Sequence, residues 1–137
     1  MTAPKMTFIN LPVASLDKAI GFYKALGFDF NPAFTDETAT CMIINDNTFA
    51  MLLTYAKFDS FIAKPRADAK AATGGIYALA LESKSAVDAM MNAAVQAGGG
   101  EYRPTIDLGF MYNRAFADPD GHVWEPFWMD PAAMPSN

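Results

Sequence analysis

One pattern occurs twice in this chain, and it restricts the fold more than any single motif does. A run that opens on Ser15, places Leu16, Ala19, Ile20, Tyr23 and Leu26 at helical spacing and stops at Gly27 has a counterpart about 70 residues later. There Ser85, with Asp88 three residues on, opens a run carrying Val87, Met90, Met91, Ala94 and Val95 that stops at Gly98-Gly99-Gly100. A serine hydroxyl can accept from the free N–H groups of a first turn, and a glycine can adopt the positive φ that ends a helix. Each helix is preceded by one strand-like segment, Met6 to Val13 or Ile76 to Leu81. Three more follow each helix: 27–34, 38–44 and 48–55 in the first half, and 101–106, 110–117 and 122–129 in the second. The repeat is too long for a solenoid unit and fits two fused modules, each β-α-β-β-β.

Pro12 suggests that the first strand ends early or lies at a sheet edge. Residues 56–73 have little β signal and read as a linker with one short helix around Phe58 to Ala63. The expected organisation is a single domain over residues 1–137: module one at about 5–55, the linker, module two at about 74–129, and a tail at 130–137 that is disordered or lies on a neighbouring subunit.

The second module closes on Asp118-Pro119-Asp120-Gly121-His122-Val123-Trp124-Glu125. Pro119 pre-sets φ, Asp118 can accept from the backbone ahead of it, and Gly121 tolerates φ > 0, so the segment reads as a β-hairpin with a three-residue loop and a glycine bulge. The strand leaving it sets one carboxylate, Glu125, among Val123, Trp124, Phe127 and Trp128. A half-buried charge there needs a partner, a metal or a raised pKa.

Composition removes several functional classes. With 15 acidic against 10 scattered basic residues and a net charge of −5, the chain lacks the basic face that nucleic acid requires. No apolar run is long enough to cross a bilayer and no signal-peptide core follows the N-terminus, so a cytoplasmic location is expected. One histidine and one cysteine leave few ligands for a transition metal. Cys41 reads as a small core residue, and His122, on the opposite strand face from Glu125, as a surface or hairpin-supporting residue. The chain is 52% hydrophobic, with 11 Phe and 9 Met, and this surplus implies a second apolar surface: a ligand cavity or a subunit interface.

The paired β-α-β-β-β modules, the opening helix Leu16-Asp17-Lys18-Ala19-Ile20-Gly21-Phe22-Tyr23-Lys24-Ala25-Leu26-Gly27-Phe28 and the closing Phe-x-Asp-Pro-Asp-Gly-x-x-x-Glu together resemble the vicinal oxygen chelate superfamily. That is the group of glyoxalase I, bleomycin-resistance proteins and extradiol dioxygenases. The resemblance implies an α+β fold in which two tandem modules form a half-open curved sheet around a cavity. Metal-using members place one ligand on the first and one on the last strand of each module. The corresponding positions here are Phe8, Leu52 within one residue, Tyr77 with Ala78 as the next choice, and Glu125, so only the last is an ordinary metal ligand. The resemblance therefore implies no metal and no cofactor.

Alternation places Phe8 and Asn10, Ala50 and Leu52, Tyr77 and Leu79, and Val123, Glu125 and Phe127 toward one hollow, with Asn113 favoured over Arg114 on the same side. The expected ligand-binding residues are Phe8, Asn10, Leu52, Tyr77, Asn113, Glu125 and Phe127. Glu125 is either a general base with a raised pKa, a hydrogen-bond acceptor for a ligand, or a carboxylate left from a lost metal site and bonded to Tyr77 or another neighbour. Three functions follow. The first is a metal-independent, homodimeric protein that binds a small apolar or aromatic molecule. The second is a lyase or isomerase of glyoxalase type, lactoylglutathione lyase-like, with Glu125 as base and Tyr77 as electrophile. The third is a structural dimeric domain whose cavity is filled by its own side chains. In the dimer, Trp124 to Met129 is the candidate interface strand.

Overall fold

A computed structural model describes residues 2–133 as two compact units, 1–68 and 69–137, divided between Asp68 and Ala69. The first contains β1 (Thr7–Val13), α1 (Leu16–Ala25), β2 (Asp29–Asn31), β3 (Ala39–Asn45), β4 (Thr48–Thr54) and α2 (Tyr55–Asp59). The second contains β5 (Ile76–Ala80), α3 (Lys84–Gln96), β6 (Gly100–Asp107), β7 (Met111–Ala117) and β8 (Val123–Met129). Each builds one four-stranded sheet, in the orders β1-β4-β3-β2 and β5-β8-β7-β6. In each, the outer first strand runs parallel to the last and the remaining pairs are antiparallel. The sequence repeat is thus a structural one, and the fold is α+β with two tandem modules. Pro12 and Pro104 both lie on edge strands, where a missing N–H costs least. No helix among the described residues is long and apolar enough to cross a membrane.

Helix α1 begins as the sequence predicts. Ser15 is extended and its hydroxyl accepts from Lys18 N at 3.3 Å. After the helix, Gly27 takes φ 99° while Phe28 N donates to the Tyr23 carbonyl, closing the last turn. Its buried face is Ala19, Phe22 and Tyr23. The cap of helix α3 lies two residues before the predicted Ser85. Ser83 is the extended cap and accepts from Ala86 N at 3.0 Å, while the Ser85 hydroxyl pairs with that of Ser83. Asp88 does not reach back to cap this helix, because β7 supplies Tyr112 and Arg114 as its donors.

Other boundaries also moved. The strand predicted over 27–34 covers three residues, because Pro32 opens a 3-10 turn capped by the Asn31 side chain. The short helix predicted near Phe58 to Ala63 begins at Tyr55, directly after β4, where the Thr54 hydroxyl accepts from Lys57 N. In the segment expected to be disordered or to lie on a neighbouring subunit, Pro131–Ala133 form a 3-10 turn, and Asp130 N before it donates to the Phe110 carbonyl. The remaining tail residues, 134–137, lie outside the described residues.

The Asp118–His122 turn joins β7 to β8. Asp118 is 4% exposed, and one carboxylate oxygen accepts from both Asp120 N and His122 N. Gly121 has φ 95°, and a methyl group placed on it would lie 2.7 Å from the carbonyl carbon and oxygen of Ala69. Here the requirement for glycine is double: a left-handed backbone and a close approach of another backbone segment. Gly109, at φ 82°, has nothing within 4 Å of such a methyl. Gly121→Ala is therefore expected to cost about 2–4 kcal/mol of unfolding free energy and Gly109→Ala about 1. Equal urea midpoints for the two variants would contradict the packing argument.

Candidate functional site

Each sheet has one face under its helix and one face turned from it, and strand alternation decides which side chains go where. In the second unit the helix-packed face is identified by Tyr112 and Arg114, whose side chains donate to Asp88 on α3 at 2.7 and 2.8 Å. In register with them are Trp124 and Trp128 of β8 and Phe116 of β7. The other face carries Val123, Glu125 and Phe127 of β8, beside Ile76, Ala78 and Ala80 of β5 and Asn113 and Ala117 of β7.

Glu125, Asn113 and Phe127 thus share the face away from α3, and Arg114 lies on the other. Tyr77 does not join them. In β5 it is Ala78 that stands beside Glu125, while Tyr77 stands beside Trp124, the ring centroids 5.2 Å apart. The expected pairing of Tyr77 with Glu125 is not formed, because the larger ring takes the helix-packed side of the strand. Burial, and then the charge of Asp118, push the Tyr77 hydroxyl above its usual pKa.

The first unit shows the same one-residue displacement. Phe8 and Asn10 stand beside Phe49 and Met51, and the Phe8 and Phe49 rings stack at 4.9 Å. Leu52 stands beside Leu11 and Thr40 and is fully buried. Thr40 lines a cleft with Ile20 and Lys24 of α1, so Leu52 and Ala50 lie on the helix-packed side and Met51 takes the position expected of Leu52.

The centre of polarity on the second sheet is a three-residue network. Arg103 Nη2 donates to Glu125 Oε2 at 2.8 Å and to Asn113 Oδ1. Asn113 Nδ2 donates to Glu125 Oε1 at 3.0 Å, and Arg103 Nη1 donates to the Pro104 carbonyl. The Arg103 and Glu125 side chains are 24% and 20% exposed, so the ion pair is largely shielded but reachable. Burial pushes the Glu125 carboxyl up, yet hydrogen bonds from Asn113 and Arg103 and the guanidinium charge outweigh it, leaving the carboxyl below its usual pKa. Of the three expected alternatives for a half-buried carboxylate, a partner, a metal or a raised pKa, the structure supplies partners, although Arg103 was not named among the candidates. Arg103 was hidden because β6 shifts register on both sides of it, which defeats counting by twos. A signal was available: the chain has three arginines, Arg66, Arg103 and Arg114, and a half-buried glutamate needs one of them or a metal.

The superfamily's metal does not fit this residue set. The side chains at the corresponding strand positions are Phe8, Met51, Ala78 and Glu125, and the single carboxylate already accepts from Arg103 and Asn113. Among the described residues no group of three His, Cys, Asp or Glu side chains could hold an ion. His122, 8% exposed, is a buried member of the turn, not a surface residue; its N–H donates to Asp118 and its carbonyl accepts from Asp118 N.

Comparison with known proteins agrees with this architecture. Residues 5–45 match the family described as bleomycin resistance protein-like N-terminal. Among solved structures, a hypothetical protein from S. aureus superposes with a TM-score of 0.78 at 23% identity, covering 93% of this chain and 95% of that one. A glyoxalase-related enzyme from Fulvimarina pelagi gives 0.76 at 21% identity, covering 92% and 88%. A glyoxalase/bleomycin resistance protein/dioxygenase family enzyme from Burkholderia phytofirmans gives 0.74 at 13%, covering 89% and 96%. No curated protein matches the chain. The fold is thus the one that these glyoxalase/bleomycin resistance/dioxygenase structures adopt, and the bleomycin resistance-like match is confined to residues 5–45.

The network makes a testable statement about charge. Because the folded-state pKa of Glu125 is depressed, its contribution to stability is complete above the unfolded value near 4.5 and is lost as pH falls through the folded value. Arg103→Met should raise the Glu125 pKa, read by carbon NMR of the carboxyl group, and lower stability at pH 7 by about 1–3 kcal/mol. The deficit should shrink as pH falls below the carboxylate range. Adding Glu125→Gln should recover part of it. A carboxyl titration unchanged by Arg103→Met would show that the pair is not formed.

Proposed function

We propose that this protein binds a small, largely apolar, uncharged molecule without a metal ion, through the Glu125 face of its second module. The observation that carries this reading is that Glu125 is held ionised by an internal guanidinium and an amide. An internal cation thus serves the carboxylate where the superfamily would use a metal. The pair is neutral overall and offers both hydrogen-bonding senses. Arg103 has N–H groups beyond those given to Glu125, Asn113 and Pro104, and carboxylate oxygens can accept more than one donor each. Beside it, the exposed Ala78 and Ala80 leave room, and Phe127 supplies apolar contact. A flat molecule with a donor next to an acceptor, such as an aromatic carboxamide, matches that surface.

The glyoxalase-type lyase reading is weaker on the same observation. A base with a depressed pKa accepts a proton poorly near neutral pH, and Tyr77 is on the other face of the sheet. We also propose a two-fold homodimer. It is supported by apolar side chains more than half exposed, among them Phe34, Phe61 and Leu108, and light scattering should give about twice the 14.9 kDa chain mass.

Benzamide, benzoate and benzamidine, titrated separately and followed by NMR, test the reading of the site. Benzamide should perturb the Arg103, Asn113 and Glu125 side-chain signals at lower concentration than either charged analogue. Zinc, nickel, iron and manganese should neither bind at one per chain nor raise the melting temperature. A stoichiometric metal with a thermal shift, or preference for a charged analogue, would overturn the proposal.

A further inference from the structure

The helix-packed side of the first module holds an open cleft of about 730 Å³, a volume within the range of small-molecule sites. It is separate from the Glu125 face and does not depend on the reading given to that face. Ile20 on α1 and Phe28, Phe30 and Pro32 on the following segment form its apolar walls. Thr40 is the most buried of the lining residues. The direction of its hydrogen bond follows from its neighbour. Thr35 donates its single hydroxyl proton to the Asn31 carbonyl at 2.8 Å, so in the 2.9 Å contact between the two threonines the donor is Thr40. Both hydroxyl oxygens are then acceptors with spare capacity, and the cleft asks its ligand for a donor.

Two opposite charges also line the cleft. Lys24, one helical turn beyond Ile20, and Asp29, at the start of β2, are both exposed, and neither side chain forms a hydrogen bond or ion pair with another of the described residues. They do not neutralise each other. A ligand carrying only an anion would gain Lys24 and face Asp29, and a ligand carrying only a cation would meet the reverse. A ligand with both charges on one end satisfies both.

We propose that this cleft is a second binding site, and that its ligand is a zwitterion with an apolar body, of the chemical class of the free apolar amino acids. The carboxylate is set toward Lys24, the ammonium toward Asp29 and the threonine oxygens, and the side chain lies between Ile20 and the Phe28–Pro32 segment.

The test uses the full chain and three probes of similar shape: L-phenylalanine, phenylacetate and phenethylamine, each followed by amide and methyl NMR. L-Phenylalanine should perturb Ile20, Phe28, Phe30, Thr35 and Thr40 and bind at least threefold more tightly than either singly charged probe. Lys24→Met and Asp29→Asn should each weaken it by about threefold, a modest effect because exposed ion pairs are screened. Asp29→Asn should in addition narrow the gap between L-phenylalanine and phenylacetate. Both substitutions are at exposed positions, and unchanged amide spectra of the free variants will confirm that they fold. No perturbation of these residues by L-phenylalanine at tens of millimolar overturns the proposal, as does equal or tighter binding of phenylacetate or phenethylamine. Perturbation confined to Arg103, Asn113 and Glu125 would overturn it as well, while leaving the reading of that other face intact.

Discussion

A β-strand that buries Trp124 and Pro126 under a helix must turn Glu125 to the opposite face, because successive side chains of a strand point in opposite directions. This constraint organises the second module. Trp124 is fully buried and lies beside Tyr77 on one side and Phe116 on the other, so the aromatic ladder fixes the register of β5, β8 and β7. Once that register is set, Ala78 and Asn113 come to the Glu125 side with no further choice. A one-residue slip in β5 would bring Tyr77 to the carboxylate and expose the small residue to the helix, leaving a void against α3. The aromatic packing therefore decides which chemistry is available on the other face, although none of those rings takes part in it.

The same logic explains which parts of the architecture were legible in the sequence. The two long helices, α1 and α3, and all eight strands follow from local signals: apolar periodicity, serine before a helix, glycine after it, and Asp-Pro-Asp-Gly at the last hairpin. Their order yields the repeated module, and with the quoted motifs the superfamily. Faces within strands were less legible. Leu52 and Tyr77 were assigned by counting from a family pattern, and an error of one residue reverses a side chain completely. Nothing local distinguishes Leu52 from Met51, since both are apolar and either could face the helix. The pairing partners that separate them, Thr40 and Leu11 against Cys41 and Asn10, are long-range facts.

Arg103 shows a different limit. Its contact with Glu125 spans 22 residues and crosses from β6 over β7 to β8, through a strand with two register shifts. No periodicity could predict that reach. What was accessible was the need itself: a carboxylate among apolar neighbours demands a counter-charge, and the alternatives were few. Reading the demand without searching for its donor left a partner, a metal and a raised pKa as alternatives, where the folded chain has a partner and a lowered pKa.

In the proposed reading an internal cation stands where a metal-using relative has an external one, and this changes what the site can do. A divalent ion polarises a substrate oxygen strongly and exchanges ligands, so it can act as a Lewis acid. A guanidinium held by a carboxylate and an amide keeps its charge at every physiological pH and gives directional donors, but it neither accepts an electron pair into an open coordination position nor generates hydroxide. Chemistry that depends on stabilising a full negative charge would also have to compete with Glu125 for Arg103. Such competition costs little for a neutral acceptor that adds a hydrogen bond to an unused N–H, and far more for an anion that must separate an established pair. The network thus favours recognition of uncharged groups over activation of charged ones, and this energetic asymmetry, more than the loss of any one ligand residue, is what supports the proposed binding role.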